Sequence, residues 1–316
     1  MKNKKVSFVI PCYNEEDNIF LLFEEINSVF RNENYRTELI FVNDGSNDNT
    51  TEVLNNLLNI DFPEIKVIDF SRNFGKEAAI YAGLQHSTGD FISLIDADLQ
   101  QPPRLVLEMV KILESSPELD CVAAYQSVRN ESFVKKVSKN CFYRIVNKVS
   151  YVHFTDSASD FRTFRRNMAE ALVSLGEKVR FTKGIFSWIG FKTEYIPYVA
   201  SQRNAGVTKW SFFKLLKYSF DGIFSFSTSL LSAPMFLGYA SLLSALIMLI
   251  VGIVKKFVFS LSLSSNFAVI LLLLFISGFM FLSIGLLGEY ITRMFVEIKN
   301  RPIYIAKSVC TNKKGD

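Results

Sequence analysis

The sequence predicts an α/β fold, a mostly parallel Rossmann-like sheet with helices on both faces, followed by a C-terminal two-helix transmembrane hairpin. Three observations predict it. Short apolar runs alternate with amphipathic stretches through the first 125 residues, the spacing of a parallel sheet with crossover helices. Acids and amides cluster just after those runs, where ligands bind in such sheets. Nearer the C-terminus, residues 222–254 and 257–288 contain no charged side chain.

Taken in order, residues 6–10 read as a buried strand, with a loop at 11–14. Residues 15–30 read as a helix, because Ile19, Leu22, Phe23, Ile26 and Phe30 share one face. Glu15, Glu16 and Asp17 would then meet the positive end of its dipole. Residues 39–42 form the next strand, 43–48 a turn-rich loop and 51–58 a helix. Strand 67–70, helix 76–86 and strand 91–95 follow, then a helix from Pro102 and Pro103 to about Leu113 and a strand at 121–125. No Gly-x-Gly-x-x-Gly follows the first strand and no Gly-Lys-Ser/Thr loop is present, which disfavours dinucleotide and Walker-type sites.

Beyond Tyr125 the character changes. Residues 132–149 place Phe133, Val134, Val137, Cys141, Phe142, Ile145 and Val149 on one stripe opposite a basic cluster, a helix expected to lie on a bilayer surface. The composition, 49% hydrophobic with 30 Phe and a mean hydropathy of +0.20, exceeds what a soluble domain needs. A bilayer core takes about 20 apolar residues in helical form, so spans are expected at about 229–254 and 267–288. The implied organisation is a catalytic domain over 1–210, a juxtamembrane helix over 211–227, the hairpin within 228–290 and a tail over 291–316.

The run at 6–10 is too short for a signal-peptide core, and basic residues flank both expected spans. The expectation is a cell-membrane protein with two spans and its catalytic domain in the cytoplasm. Cys12, Cys121, Cys141 and Cys310 lack metal-ligand spacing and read as free thiols, while His86 and His153 stand alone. The small net charge of +4 gives no sign of a nucleic-acid partner.

Asp96-Ala97-Asp98 ends an apolar strand, where two carboxylates are costly unless solvated or paired with a cation. Their oxygens suit Mg²⁺ or Mn²⁺, which would neutralise a pyrophosphate. With Pro11-Cys-Tyr-Asn-Glu-Glu16, Val42-Asn-Asp-Gly-Ser46, Arg72-Asn-Phe-Gly-Lys76 and Asp96-Ala-Asp-Leu-Gln100, the chain resembles inverting family 2 glycosyltransferases. More narrowly it is similar to polyprenyl-phosphate glycosyltransferases, of the bactoprenol glucosyltransferase and dolichol-phosphate mannose synthase type. Ser159-Asp-Phe-Arg162, Arg180-Phe-Thr-Lys-Gly184 and Arg203-Asn-Ala-Gly-Val-Thr-Lys-Trp210 extend the match. Gln101 stands where the family commonly has an acid, Ser159 where Gly is common and Val207 where Glu is common.

The resemblance implies a GT-A nucleotide-binding domain and transfer of a sugar from a nucleotide-sugar donor, UDP-linked by preference, to a polyprenyl phosphate lipid in the bilayer. It also implies a homo-oligomer. By it, Pro11, Tyr13, Glu15, Asp44, Lys76 and Asp96 would hold the donor, and Asp96, Asp98 and Gln100 would form the metal site. Arg129, Arg162, Arg203 and Lys209 would approach phosphates, and Asp160 would face the reacting sugar, orienting it or taking a residual proton. Catalysis would rest on Asp160, Asp98 and Arg203. A phosphate monoester is already anionic near neutral pH, so catalysis reduces largely to positioning and stabilising the departing diphosphate. A processive polysaccharide synthase would share the donor pocket, but its Gln-x-x-Arg-Trp block is absent. A non-catalytic nucleotide-sugar-binding scaffold is the alternative from another class.

Overall fold

A computed structural model describes residues 4–61, 63–127, 158–178, 180–199 and 265–312. The chain divides into two units, one comprising residues 1–147, 152–222 and 302–316, the other 148–151 and 223–301.

The first unit is built on an eight-stranded sheet. Its strands are β1 (Lys5–Cys12), β2 (Arg36–Asn43), β3 (Glu64–Phe70), β4 (Phe91–Leu94), β5 (Cys121–Gln126), β6 (Ala158–Arg165), β7 (Thr193–Tyr198) and β8 (Ala306–Thr311). The helices between them are α1 (Ile19–Phe30), α2 (Thr50–Leu57), α3 (Lys76–His86), α4 (Pro103–Ser115), α5 (Arg166–Ser174) and α6 (Thr182–Trp188). The strand order is β7-β5-β6-β4-β1-β2-β3-β8. Strands β4, β1, β2 and β3 run parallel, as the alternation predicts. The sheet is nevertheless mixed, because β6 runs antiparallel to β4 and β5, and β8 antiparallel to β3.

Strand β1 lies at the centre and is buried on both faces, which explains its unbroken apolar run. Successive side chains of a strand point to opposite faces. Phe8 and Ile10 join the core made with Ile19, Leu22 and Ile26 of α1 and Val106, Met109 and Val110 of α4. Val9 points the other way, against α3, where a β-carbon on Gly83 would lie 2.3 Å from Val9 Cγ1. Helix α3 therefore sits as close to the sheet as a backbone allows.

Helix α1 starts at Ile19, not Glu15. Asn14 adopts a left-handed φ of 52°, and residues 14–16 are laced to the loop after β2 and the first residue of α2. The backbone N–H groups of Asn14, Glu15 and Glu16 donate to Ser46 Oγ, Thr50 Oγ1 and Asp48 Oδ2. Donors that a helical first turn would leave unpaired find side-chain acceptors instead.

Residues 306–311, expected within a tail, return to the sheet as β8. Asn312 fastens it: its Nδ2 donates to Ile60 O at 2.6 Å and Pro63 O at 2.8 Å, and its Oδ1 accepts from Ile65 N at 2.8 Å. Just before β8, the Tyr304 ring stacks on Phe70 with centroids 4.9 Å apart.

In the second unit the described residues form one helix, α7 (Ser265–Ile298), of 34 residues. This corrects the expectation of a C-terminal transmembrane hairpin: among the described residues no helix is long and apolar enough to cross a membrane. Freedom from charge is not by itself sufficient for a span. Helix α7 mixes Asn266, Ser277 and Ser283 into its apolar sequence and runs on through Glu289, Arg293 and Glu297 rather than ending near residue 288. The expected helices at 132–149 and 211–227 and the expected span at 229–254 lie outside the described residues.

Candidate active site

The parallel strands point their carboxyl ends to one edge of the first unit, and the loops there carry the acids that the sequence singles out. The loops after β1 and β2 meet through the Asn14–Glu16 bonds already described. Asn43 shapes the second of these, its Oδ1 accepting from Ser46 N and Ser46 Oγ.

Asp44 follows β2 and is 4% exposed. Its carboxylate accepts backbone N–H bonds from Phe74 at 2.6 Å and from Gly75 at 2.9 Å, so it holds the loop that leads into α3. Burial pushes its pKa up to about 6, against the downward pull of those two N–H groups. Gly45 has φ +65°, and a β-carbon there would lie 2.5 Å from Arg72 C and 2.7 Å from Asn73 N. The two loops touch backbone to backbone, which only glycine permits.

Lys76 is the first residue of α3. Its Nζ lies 2.6 Å from Asp96 Oδ1 and 3.5 Å from Asp160 Oδ2. Burial opposes its charge, but the two carboxylates outweigh burial and raise its pKa above the ordinary lysine value. Asp96 and Asp160 come from different strands. Asp96 follows β4, whereas Asp160 lies near the start of β6, which arrives antiparallel with Arg162 opposite Leu94. Antiparallel entry is what delivers the amino end of β6 to the carboxyl end of β4.

After Asp96 the chain turns sharply. Leu99 has φ +60°, an uncommon conformation for a branched side chain, and Gln100 N donates to Asp98 Oδ1 at 3.2 Å. Asp96 is also held from behind by Gln101, whose amide makes two bonds to it.

The structure thus brings Lys76, Asp96 and Asp160 together, with Asp98 and Gln100 on the adjoining turn and Asp44 supporting the approach to Lys76. Pro11 and Tyr13 are half-buried at the end of β1, and Glu15 Oε2 accepts from Asn18 Nδ2 at 2.8 Å. Arg162 lies two residues along β6 from Asp160. It is 4% exposed, with its guanidinium 3.8 Å from the Phe186 ring centroid. Arg129, Arg203 and Lys209 lie outside the described residues. The sequence reading gave no role to Gly45 or to Gln101; the one hint for Gln101 was an amide standing where an acid is common.

Among the described residues there is no group of three or more His, Cys, Asp or Glu side chains placed to hold a metal. The carboxylate of Asp98 and the amide oxygen of Gln100 still fit Mg²⁺ or Mn²⁺. Such ions bind through one or two carboxylates and take their other oxygens from substrate phosphates and water.

A cluster of acids around Lys76 at the carboxyl ends of the parallel strands suits a nucleotide-linked substrate. The chain belongs to glycosyl transferase family 2, whose family model matches residues 7–173. It is 36% identical over 309 residues to the prophage bactoprenol glucosyl transferase homolog of Escherichia coli K12, covering 96% of this chain and 99% of that one. It is also 36% identical over 307 residues to the bactoprenol glucosyl transferase of Shigella phage SfII, covering 96% and 97%. Among solved structures, glucosyl-3-phosphoglycerate synthase from Mycobacterium tuberculosis aligns with a TM-score of 0.45 and 17% identity, over 68% of this chain and 76% of that one. That likeness is too distant to bear on donor, metal or acceptor.

Proposed function

We propose that this glycosyltransferase moves a hexosyl group, with inversion, from a UDP-linked sugar (glucose or N-acetylglucosamine) to the phosphate of a polyprenyl lipid such as undecaprenyl phosphate. The observation that carries the reading is the Lys76 ammonium set between Asp96 and Asp160, beside the Asp98–Gln100 turn. The lipid acceptor is supported by relatives named bactoprenol glucosyl transferase that align over nearly the whole chain. A lipid acceptor places the reaction at a membrane surface.

In this reading Pro11, Tyr13, Glu15 and Asp44 bind base and ribose. Lys76 and Asp96 fix the sugar-diphosphate end. Asp160 takes a hydrogen bond from a sugar hydroxyl or accepts a residual acceptor proton. A lipid-phosphate oxygen attacks the anomeric carbon from the face opposite the leaving group. The bond from that carbon to the nucleoside diphosphate breaks, and its electron pair departs with the diphosphate. Mg²⁺ or Mn²⁺, held by Asp98 and Gln100, would supply charge neutralisation for that leaving group. Arg129, Arg203 and Lys209 are the cations assigned to phosphates. Arg162 shares a face of β6 with Asp160 and is assigned with them to the acceptor phosphate.

The test incubates purified protein with UDP-glucose, UDP-N-acetylglucosamine or UDP-galactose, undecaprenyl phosphate and Mg²⁺. The expected product is a lipid carrying one sugar, lost on adding EDTA or on Asp98→Asn. UDP released without a glycolipid would refute the acceptor. Lipids carrying several sugars would favour the processive alternative, and donor binding without turnover the scaffold.

A further inference from the structure

Gln101 directly follows the Asp98–Gln100 turn and is 5% exposed. Its amide meets Asp96 at two points. Its Oε1 accepts the Asp96 backbone N–H at 2.9 Å, and its Nε2 donates to Asp96 Oδ2 at 3.0 Å. The other carboxylate oxygen, Oδ1, receives Lys76 Nζ at 2.6 Å. Each oxygen of Asp96 therefore has a donor of its own, which fixes the plane of the carboxylate and balances its charge. A divalent cation seeking Asp96 would have to approach an ammonium already in contact with it, and like charges at that separation repel strongly in a partly buried site.

We infer that Gln101 is a positioning residue: its amide turns Asp96 toward Lys76 and so withholds Asp96 from the metal, leaving Asp98 as the carboxylate of the pair that meets the ion. The inference rests on the metal-assisted transfer proposed above and narrows its ligand set. The residue type at 101 decides the outcome because the amide accepts from the Asp96 N–H and donates to its side chain at once, which an ionised acid or an apolar side chain cannot do. An acid at 101 could accept, but at neutral pH it would set a second negative charge against Asp96 Oδ2. A second cationic group beside Lys76 would then be needed, and a metal drawn onto Asp96 would serve.

The experiment compares the full-length protein with Gln101→Met, Gln101→Glu, Asp96→Asn, Asp98→Asn and the double variant Gln101→Met/Asp96→Asn. Methionine keeps the buried volume at 101, so folding is retained while the two hydrogen bonds are lost. Calorimetric titration of Mn²⁺ in the presence of UDP reads the metal site, and glycolipid formation reads turnover. Gln101→Met is expected to lower kcat by about tenfold to a hundredfold, the effect of a small misplacement in a reacting geometry. Its Mn²⁺ affinity should stay within about twofold of wild type, because Lys76 still stands against Asp96 Oδ1 and keeps the ion off it. Asp96→Asn should likewise retain Mn²⁺ affinity, Asp98→Asn should lose it, and Gln101→Glu should bind Mn²⁺ more tightly than wild type. The double variant should turn over no more slowly than Asp96→Asn alone, since Gln101 acts through Asp96. Two results would overturn the inference: Mn²⁺ affinity falling in Asp96→Asn as far as in Asp98→Asn, or the losses in kcat simply multiplying in the double variant. A wild type that binds Mn²⁺ with UDP yet makes no glycolipid would refute the proposed acceptor and leave the clamp around Asp96 standing.

Discussion

Replacing Asp44 by Asn should make a pH-dependent stability difference disappear, with a size that follows from burial. The Asp44 carboxyl is 4% exposed, and burial raises its pKa from the usual 3.8 to about 6. A shift of about two units corresponds to roughly 3 kcal/mol between the two protonation states. The sign follows from linkage. Between those two pKa values the folded chain holds this proton more firmly than the unfolded chain does. The group's contribution is therefore fully present below pH 3.8 and is lost as pH rises through 6. At neutral pH the ionised Asp44 is a cost, kept because its oxygens hold the Phe74 and Gly75 N–H groups. Acidifying from pH 7 to pH 5 should return about 1 kcal/mol through this group alone. Asparagine cannot titrate, so Asp44→Asn is expected to lack that gain. Urea unfolding of both proteins, followed by far-ultraviolet circular dichroism at intervals from pH 5 to 7, measures the difference directly. Transfer by the wild type should also fall on the acid side with an apparent pKa near 6. A wild-type-minus-variant stability that stays constant from pH 5 to pH 7 would refute the reasoning.

At the amino ends of the strands the sign is reversed. Burial opposes the charge of Glu38, but Lys66, Ser7, the Thr88 N–H and Lys5 overcome it and hold its pKa at about 2. Its stabilisation is present above the usual 4.5 and is lost as pH falls toward 2; Glu38→Gln should cost roughly 3 kcal/mol at pH 7 and flatten the acid limb of a melting-temperature profile. Gly45→Ala meets both an unfavourable positive φ and the backbone of Arg72 and Asn73. It should lower stability by about 2 kcal/mol or more and slow transfer by shifting the loop that carries Lys76, as thermal melts and initial rates will read.

Much of the site was legible because acids placed directly after apolar runs have few other places to go. Asp44, Asp96 and Lys76 each fall at the end of a parallel strand or at the start of the helix that follows. What the sequence hid depends on partners far along the chain. Asp160 reaches Lys76 only because β6 runs antiparallel to β4, and strand direction leaves no trace in an apolar pattern. The start of α1 moved four residues because residues 14–16 bond to side chains of the next loop, which outcompete a first helical turn. Gln101 departs from the acid common at that position, and nothing in the sequence tells that its amide is buried against Asp96. The hairpin expectation failed because an uncharged run reports what a helix can tolerate, not what it crosses.

The return of β8 to the edge of β3 sets a timetable for the newly made chain. Strand β3 ends at Phe70, but the strand that covers its outer edge begins at Ala306. At about 5–20 residues per second, translation leaves that edge uncovered for roughly ten to fifty seconds after β3 emerges. Through that interval the backbone groups of β3 that face β8 in the finished sheet are open to any passing strand. Ribosome pausing late in the message would lengthen this exposure, and a stop codon just ahead of Ala306 would make it permanent.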